Sequence, residues 1–207
     1  MSRSPSLCGV ILAAGESNRM GSDKALLAWP PGNARGATFL SAAIEALAPW
    51  NDLVLVVTGS NRVALEPVIY SQGAFLIENP RPELGQFSSL QVGLREVLNR
   101  GRDAAMITLV DRPPVQTTTL EHLVTEFPQV LGRDKWALVP EHNGKHGHPF
   151  LAAREMIEAF LRAPATSTAR DIEHQNQKRI AYLPIEDPWV VLNVNTPEDY
   201  ANLPAGG

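Results

Sequence analysis

The stretch Cys8-Gly9-Val10-Ile11-Leu12-Ala13-Ala14-Gly15 decides the fold class of this chain. Residues 8–13 form a compact apolar run, as expected of a strand that is buried on both faces of a parallel sheet. The run ends abruptly at Ala14 and Gly15, where a tight turn is expected. Cys8 starts the run and is interpreted as a small buried hydrophobe, with a reactive thiol as the alternative.

Alternating strands and helices are predicted along the rest of the chain. Residues 38–48 place apolar side chains at spacings of three and four behind Thr38, a potential N-cap, and predict an amphipathic helix. Further helices are predicted over 87–99, 117–127 and 154–161, and a last one begins at Pro197 behind Thr196. Strands are predicted over 52–58, 73–78, 104–110, 136–140 and 148–152, with a final pair over 182–184 and 190–194.

This alternation predicts an α/β fold with a doubly wound, Rossmann-like and mostly parallel sheet. The 207 residues, 44% of them hydrophobic, are expected to form one domain over residues 1–207. In such sheets, ligands bind beyond the carboxyl ends of the strands. The loops at that edge are therefore the place to search for a functional site.

The charge and the termini exclude several function classes. A net charge of −4 provides no broad basic field, so nucleic acid is not expected as a partner. The first seven residues are polar, and no apolar run approaches the roughly 20 residues that span a bilayer, so no membrane association is expected. Cys8 is the single cysteine, which fits a reducing compartment and predicts a cytoplasmic protein.

The loop over residues 12–24 directly follows the first predicted strand and combines two glycines with two cations. Backbone N–H groups of such a loop can face phosphate oxygens, Arg19 offers a planar fork of donors, and Lys24 offers a compact charge. Neither the Walker pattern nor the dinucleotide fingerprint is present. A polyphosphate site and an ordinary solvated loop both fit the spacing alone.

The pattern Leu12-Ala13-Ala14-Gly15-x-Ser17-x-Arg19-Met20-Gly21-x-x-Lys24 resembles the signature of the MobA-like nucleotidyltransferases that complete molybdenum cofactors. Ala14 favours the cytidylyltransferases of that family, since the guanylyltransferases typically carry glycine at this position. Further segments resemble the family in the same order: Asn79-Pro80, Gly85-Gln86-Phe87-Ser88-Ser89-Leu90, Gly93-Leu94, Asp111-Arg112-Pro113, Gly147-His148-Pro149 and Asn195-Thr196-Pro197-Glu198-Asp199.

The resemblance implies a fold like that of the nucleotide-diphospho-sugar transferases and a role for each matched segment. It implies triphosphate binding by the first loop and contact with base and ribose by the later segments, over Leu12, Ala13, Ala14, Gly15, Ser17, Arg19, Gly21, Lys24, Asn79, Gly85, Ser88 and Ser89. It implies Arg19, Lys24 and Asp111 as catalytic residues, Mg²⁺ as cofactor with Asp111 and Asn195 as ligands, and Gly147, His148 and Pro149 as acceptor-binding residues.

Structural alternatives exist for the matched polar residues. Asp111 follows an apolar strand, where a carboxylate suits a hard cation but can also cap a turn before Pro113. Asn195 can be a magnesium ligand or an N-cap. His148 can bind the acceptor or be a structural residue whose hydrogen bonds are made within the fold.

Two segments depart from the family pattern. The chain has Asn193-Val194-Asn195 where the cytidylyltransferases often have Asp-x-Asp. Residues 165–170 keep only Ala169 and Arg170 of the acceptor-side motif Gly-Asp-x-Gly-Ala-Arg.

The function expected from this resemblance is Mg²⁺-dependent transfer of a CMP group, or alternatively GMP, from CTP or GTP to a phosphorylated acceptor with release of pyrophosphate. Molybdopterin is the expected acceptor, and a molybdoenzyme or its accessory protein is the expected protein partner. A sugar or polyol phosphate is an alternative acceptor, which the altered segment 165–170 keeps open. A non-catalytic module that binds a nucleotide or cofactor is the alternative outside enzyme chemistry.

Overall fold

The computed structural model describes residues 6–15, 20–33 and 36–204, and they build an α/β fold around one eight-stranded sheet. The strands are β1 Leu7–Leu12, β2 Leu53–Thr58, β3 Phe75–Glu78, β4 Ala104–Leu109, β5 Ala137–His142, β6 Lys145–His146, β7 Phe150–Ala153 and β8 Ile180–Pro184. The helices are α1 Phe39–Leu47, α2 Arg62–Ser71, α3 Gln86–Asn99, α4 Thr117–Leu131, α5 Arg154–Arg162, α6 Ala169–Gln175 and α7 Pro197–Ala201.

The sheet is mostly parallel, as the sequence predicts. Its strand order is β3-β2-β1-β4-β7-β5-β6, and β8 pairs with β5. Strands β1 to β4 run parallel to one another, and β8 runs parallel to β5. The antiparallel strand β7 lies between β4 and β5. The order reverses at β1 and β4, and ligands bind at such a switch point in doubly wound sheets.

Strand β1 explains how the sheet holds two hydrophobic layers. All six of its residues are buried, and successive side chains point to opposite faces. Leu7 and Ile11 pack into the layer beneath α1, α2 and α4, whereas Val10 and Leu12 pack into the layer beneath α3 and α5. Burial of one such side chain stabilises the fold by roughly 1.5–3 kcal/mol.

Helix α3 approaches the sheet closely because Gly93 has no side chain. A Cβ atom at this position would lie 2.9 Å from both Val10 Cγ1 and Val57 Cγ2, which is too short for a contact between carbon atoms. The middle of α3 therefore lies directly against β1 and β2.

Four parts of the chain differ from the sequence-based prediction, among them the two-residue strand β6, which was not predicted. Helices α2 and α6 were not predicted. Helix α2 buries only Leu65 and Ile69, so its apolar stripe is weak, and Pro67 inside it is a residue that normally disfavours helix. The strand predicted over 190–194 is wrong. This segment continues from a 3₁₀ turn over Pro188–Val191, and its buried valines fill the interior without joining the sheet. A short apolar run does not distinguish these outcomes.

Within the described ranges, none of the helices is both long and apolar enough to cross a lipid bilayer.

Candidate active site

A cavity of about 630 Å³ opens at the carboxyl ends of β1 and β4. We call it the first cavity. The loops after both strands and the first turn of α3 surround it. Its lining residues are Leu12, Ala14, Gly15, Lys24, Pro82, Glu83, Gly85, Gln86, Ser89, Leu109, Val110, Asp111 and Asn195.

Three polar side chains meet at one end of the first cavity. Lys24 Nζ donates to Asp111 Oδ2 at 3.3 Å and to Asn195 Oδ1 at 3.0 Å. The lysine and aspartate side chains are only 11% and 22% exposed. Because water screens them little, the electrostatic effect of this ammonium and of this carboxylate on a charged ligand is stronger than that of surface charges.

Asn61 holds the backbone around Lys24 in place. Lys24 begins a 3₁₀ turn over Lys24–Leu26, and the carboxylate of Asp23 caps this turn by accepting from Ala25 N at 3.0 Å. Asn61 Nδ2 donates to the other oxygen of Asp23 and to Ala13 O, both at 2.8 Å. This amide joins the end of β1 to the turn that carries Lys24.

A capping box holds Asn195 in place. Val194 N donates to Asp111 O at 2.9 Å, which fastens the closing segment to the end of β4. The carboxylate of Asp199 accepts from Asn195 N at 2.8 Å and from Thr196 N at 2.9 Å. These hydrogen bonds lower the pKa of Asp199, so the carboxylate stays ionised and the segment stays anchored. Asn195 is therefore placed by the N-terminus of α7, while its side chain is left to face Lys24.

The oxygen atoms around Asp111 fit a hard divalent cation. When the Asn193 amide turns its nitrogen to Asp111, Nδ2 lies 3.2 Å from both carboxylate oxygens, and Oδ1 accepts from Asn195 Nδ2 at 2.9 Å. The opposite amide orientation directs Oδ1 towards the carboxylate, as a shared cation would require. No group of three His, Cys, Asp or Glu side chains suited to a metal occurs within the described residues. The donor set is one carboxylate with two amides, which suits a cation that keeps water and phosphate oxygens as ligands.

Asn79 shapes the first turn of α3. Its buried Nδ2 donates to Ser88 Oγ and Ser89 Oγ, both at 2.9 Å. Its Oδ1 accepts from Arg81 N at 3.0 Å. Gly85, with φ +91°, turns the chain into the helix. The N–H groups of this first turn can bind an anion or a ribose hydroxyl.

A second cavity of about 930 Å³ adjoins the first, and the two share Leu12, Gly85, Gln86 and Leu109. Strands β4 and β7, the β5–β6 hairpin and the segment that leads into α6 surround it. Its other lining residues are Leu84, Phe87, Leu90, Ile107, Arg112, Gly144, Lys145, His146, His148, Phe150, Ala165, Thr166, Ser167, Thr168, Ala169, Arg170 and Glu173.

His148 lies in this second cavity as a neutral imidazole. Burial, reinforced by the nearby charge of Arg112, lowers its pKa to about 3. Its Nδ1 lies 3.4 Å from Ile107 O and donates to it in the neutral tautomer, so Nε2 is then a hydrogen-bond acceptor. Gly147 before it is required for packing, because a Cβ atom there would lie 2.4 Å from Val190 O.

A comparison with protein-family models matches residues 9–180 to the MobA-like NTP transferase domain. The chain belongs to the MobA-like NTP transferase family. Its members transfer nucleotidyl groups, so this chain is a nucleotidyltransferase-family protein.

Three relatives extend the match. The "Molybdenum cofactor cytidylyltransferase" of Escherichia coli K12 is 26% identical over 197 residues, 92% of each chain. The "Probable molybdenum cofactor guanylyltransferase" of Rhodopirellula baltica is 26% identical over 94% of this chain and 90% of its own. The crystal structure of Rv0371c from Mycobacterium tuberculosis H37Rv is 26% identical with a TM-score of 0.76, covering 94% of this chain and 96% of its own. Rv0371c was also solved in complex with manganese, at 24% identity over 95% of this chain and 97% of its own and a TM-score of 0.74.

The structure brings most of the site residues predicted in this MobA-like chain to one place. Those that line the first cavity are Leu12, Ala14, Gly15, Lys24, Gly85, Ser89, Asp111 and Asn195. Ala13, Asn79 and Ser88 are buried and do not line it, Gly21 is exposed and does not line it either, and His148 lines the second cavity instead. Gly147 and Pro149 support that second cavity without lining it. Ser17 and Arg19 lie outside the described residues.

Sequence reasoning missed three contributors to this site. Asn61 follows β2 in a Gly-Ser-Asn turn, which gave no sign that its amide would reach Ala13. Asn193 was noted only as a departure from the family pattern, yet it lies against Asp111. Glu173 lies on α6, which was not predicted as a helix, so its place in the second cavity was not foreseen.

Proposed function

We propose that this protein transfers a CMP group from CTP to a phosphorylated acceptor of the molybdopterin type in a Mg²⁺-dependent reaction that releases pyrophosphate. The observation that carries the proposal is the meeting of Lys24, Asp111 and Asn195 in a cavity that adjoins a second one. Two adjoining cavities suit a reaction between two substrates, with the nucleotide in the first and the acceptor in the second.

The reaction is an in-line displacement at the α-phosphorus of the triphosphate. An oxygen of the acceptor phosphate attacks, the bond from the α-phosphorus to the bridging oxygen breaks, and pyrophosphate leaves with the electron pair. Such transfers depend on positioning and on neutralisation of charge. Lys24 stabilises the added charge on the α-phosphate, and the first turn of α3 holds the nucleoside. Arg19 holds the β- and γ-phosphates, as the family resemblance implies.

Asp111 and Asn195 would hold Mg²⁺, with Asn193 within reach of the same ion. Bound there, the metal would supply positive charge that offsets the charge of the triphosphate. The complex of Rv0371c with manganese supports a divalent cation in this family. Lys24 donates to both proposed ligands and holds their side chains close together.

The choice of CTP over GTP is proposed on the basis of one residue, Ala14. Ala14 lines the first cavity and matches the cytidylyltransferase pattern, whereas Asn193 and Asn195 resemble the guanylyltransferase pattern. The named relatives include both activities at 26% identity. We therefore place CTP first and GTP second. A cytoplasmic location and a molybdoenzyme that receives the product belong to the same proposal.

A sugar or polyol phosphate is the second candidate acceptor. The observation that favours it is the loss of most of the acceptor-side motif over residues 165–170, which line the second cavity. A module that binds nucleotide without turnover is disfavoured, because binding alone does not need a lysine held between two proposed metal ligands.

Pyrophosphate release tests the proposal directly. CTP, GTP, ATP and UTP are each incubated with Mg²⁺, with and without molybdopterin or a polyol phosphate. Release with CTP and molybdopterin alone supports the proposal. Release with a polyol phosphate identifies the second candidate, and nucleotide binding without release under all conditions contradicts catalysis.

A further inference from the structure

A third hydrophobic cluster lies apart from the two layers that cover the sheet. Its buried members are Met20, Phe39, Val194 and Leu203, and the residues packed against them are Leu27, Trp29, Trp189 and Tyr200. We call these eight residues the aromatic cluster. None of them lines either cavity, so the cluster does not touch a ligand bound there. Its members nevertheless lie next to site residues in the chain.

Val194 connects the aromatic cluster to the proposed metal ligands. It is 1% exposed and lies between Asn193 and Asn195. Asn195 accepts from Lys24, and Asn193 lies against Asp111. Because successive side chains of an extended segment point to opposite sides, burial of Val194 in the cluster directs both amides towards the site.

The aromatic cluster also supports the turn that carries Lys24. Met20 lies four residues before this lysine and Leu27 three residues after it. Leu27 N donates to Lys24 O at 3.2 Å, and Leu27 O accepts from Phe39 N at 2.9 Å. The turn is thereby fixed to the start of α1. The segments that supply Lys24 and Asn195 therefore share one apolar support.

Tyr200 provides the directional link between these two segments. Its hydroxyl donates to Ala28 O at 2.9 Å, across 172 positions of the chain. The centroid of its ring lies 6.1 Å from that of Phe39. Apolar contacts are non-directional and permit small sliding movements, whereas a hydrogen bond fixes distance and angle. The hydroxyl of Tyr200 therefore fixes α7 relative to the turn after Lys24.

A shift of α7 would be transmitted to Asn195. Tyr200 lies in the same short helix as Asp199, whose carboxylate accepts from Asn195 N at 2.8 Å. Asn195 Oδ1 in turn lies 3.0 Å from Lys24 Nζ. Functional side chains need placement to within about 0.5 Å, and an error of about 1 Å can cost roughly 100-fold in rate.

We propose that Tyr200 is a positioning residue of the nucleotidyl-transfer site, and that its hydroxyl sets the position of Asn195 relative to Lys24 through the aromatic cluster. This inference rests on the proposed function, since it takes Asn195 as a metal ligand. It assigns a role in metal use to a side chain that contacts neither metal nor substrate.

Metal-dependent nucleotide binding tests the inference without any need for turnover. The full-length protein is titrated by calorimetry with a non-hydrolysable CTP analogue at a series of Mn²⁺ concentrations. Tyr200→Phe removes the hydroxyl and keeps the ring, so the half-saturating Mn²⁺ concentration should rise about threefold, while the Kd of the analogue at saturating Mn²⁺ stays within about twofold. Tyr200→Leu also removes the ring and should raise the Mn²⁺ concentration about tenfold. Tyr70→Phe, at an exposed position on α2, is the matched control and should change neither value.

A double-mutant cycle separates positioning from a general loss of stability. If Tyr200 acts through Asn195, addition of Tyr200→Phe to Asn195→Ala should raise the Mn²⁺ requirement no further, because the side chain that it positions is already absent. A purely structural role predicts the same rise in both backgrounds. Equal rises in the two backgrounds, or an unchanged Mn²⁺ requirement in Tyr200→Phe, would overturn the inference.

Crystal structures of the unaltered protein and of Tyr200→Phe provide a readout that does not depend on any ligand. We expect the distance from Lys24 Nζ to Asn195 Oδ1 to increase beyond about 3.5 Å in the variant. If the unaltered protein binds the analogue without any effect of Mn²⁺, the proposed function fails and this distance alone decides: an unchanged contact refutes positioning, and a lengthened one supports it. If the Mn²⁺ pattern holds but no nucleotide releases pyrophosphate, the proposed function fails and the role of Tyr200 stands.

Discussion

Lys24 and Asn195 lie 171 positions apart in the chain, yet Lys24 Nζ donates to Asn195 Oδ1 at 3.0 Å. The same ammonium group reaches Asp111, so one lysine joins the loop after β1, the end of β4 and the closing segment. Removal of this amine would affect both the added charge of the transition state and the position of the two proposed metal ligands.

Replacement of Lys24 by alanine is expected to lower kcat at least 100-fold, while the Kd of the nucleotide changes less than threefold. The reason is that charge on the α-phosphate grows mainly in the transition state, so the lost interaction acts there. A 100-fold loss corresponds to about 2.7 kcal/mol. Pyrophosphate release and equilibrium nucleotide binding measure the two quantities. Lys135→Ala is the control, since this lysine lines neither cavity and donates to Lys178 O at 2.8 Å. Unchanged kcat in Lys24→Ala would remove Lys24 from the mechanism.

The charge of the proposed metal ligands is expected to set the Mg²⁺ requirement. Asp111→Asn should raise the half-saturating Mg²⁺ concentration at least tenfold, because a carboxylate binds this ion more strongly than an amide does. Asn195→Asp should lower it for the same reason. The measurement is activity against Mg²⁺ concentration at fixed nucleotide. Asp103→Asn, at the opposite end of β4, should behave like the unaltered protein. If Asp111→Asn and Asp103→Asn give the same Mg²⁺ curve, Asp111 is not a ligand.

Asn61 is expected to matter for both stability and nucleotide binding. Asn61→Ala removes the hydrogen bonds to Ala13 O and Asp23 and should lower the free energy of unfolding by about 1–3 kcal/mol. The Kd of the nucleotide should rise several-fold, since the turn that carries Lys24 loses its anchor. Urea unfolding and nucleotide titration provide the data. Asn99→Ala, on the exposed end of α3, is the matched control, and equal effects of both variants would contradict an anchoring role.

His148 is expected to make stability depend on pH. Its pKa is about 3 in the folded chain and about 6.5 when unfolded, so the unfolded chain binds more protons between these values. The free energy of unfolding should therefore fall as pH is lowered from about 6.5 towards 3, and this contribution is fully present above pH 6.5. His148→Gln should flatten the dependence in urea unfolding at pH 7.5, 5.5 and 4.5. His122→Gln, on exposed α4 surface, should not; parallel curves for His148→Gln and the unaltered protein would refute the assignment.

Much of the fold could be predicted because buried strands are recognisable in the sequence as continuous apolar runs. Strand β1 is an unbroken apolar run, and β4 is another, so both were placed to within about one residue. The elements that failed carry weak patterns. Helix α2 buries few side chains and contains Pro67. The apolar run over 190–194 packs as an irregular segment that follows Asp187. The carboxylate of Asp187 accepts from Gln116 N at 2.8 Å and from Thr119 Oγ1 at 2.9 Å.

The same holds for the site: residues in recognisable local patterns were predicted, and contacts between distant residues were not. Asp111 was proposed because it directly follows an apolar strand, and Lys24 because it lies in the glycine-bearing loop after the first strand; the family resemblance implied the roles of both. Nothing in the spacing showed that Asn61 would link Ala13 to Asp23, or that Asn193 would lie against Asp111. Those contacts join residues that are distant in the chain.

The sequence by itself determined the family, the strand pattern and the loop that carries Lys24, because these depend on local runs of side chains. Only the tertiary structure decided the second cavity and the aromatic cluster around Trp29. The ring centroids of Trp29 and Trp189, which are widely separated in sequence, lie 5.9 Å apart, and the centroids of Trp29 and Phe39 lie 4.9 Å apart. Local propensity does not encode such contacts, since they form only when sheet and helices have brought distant segments together and burial of apolar surface stabilises the result.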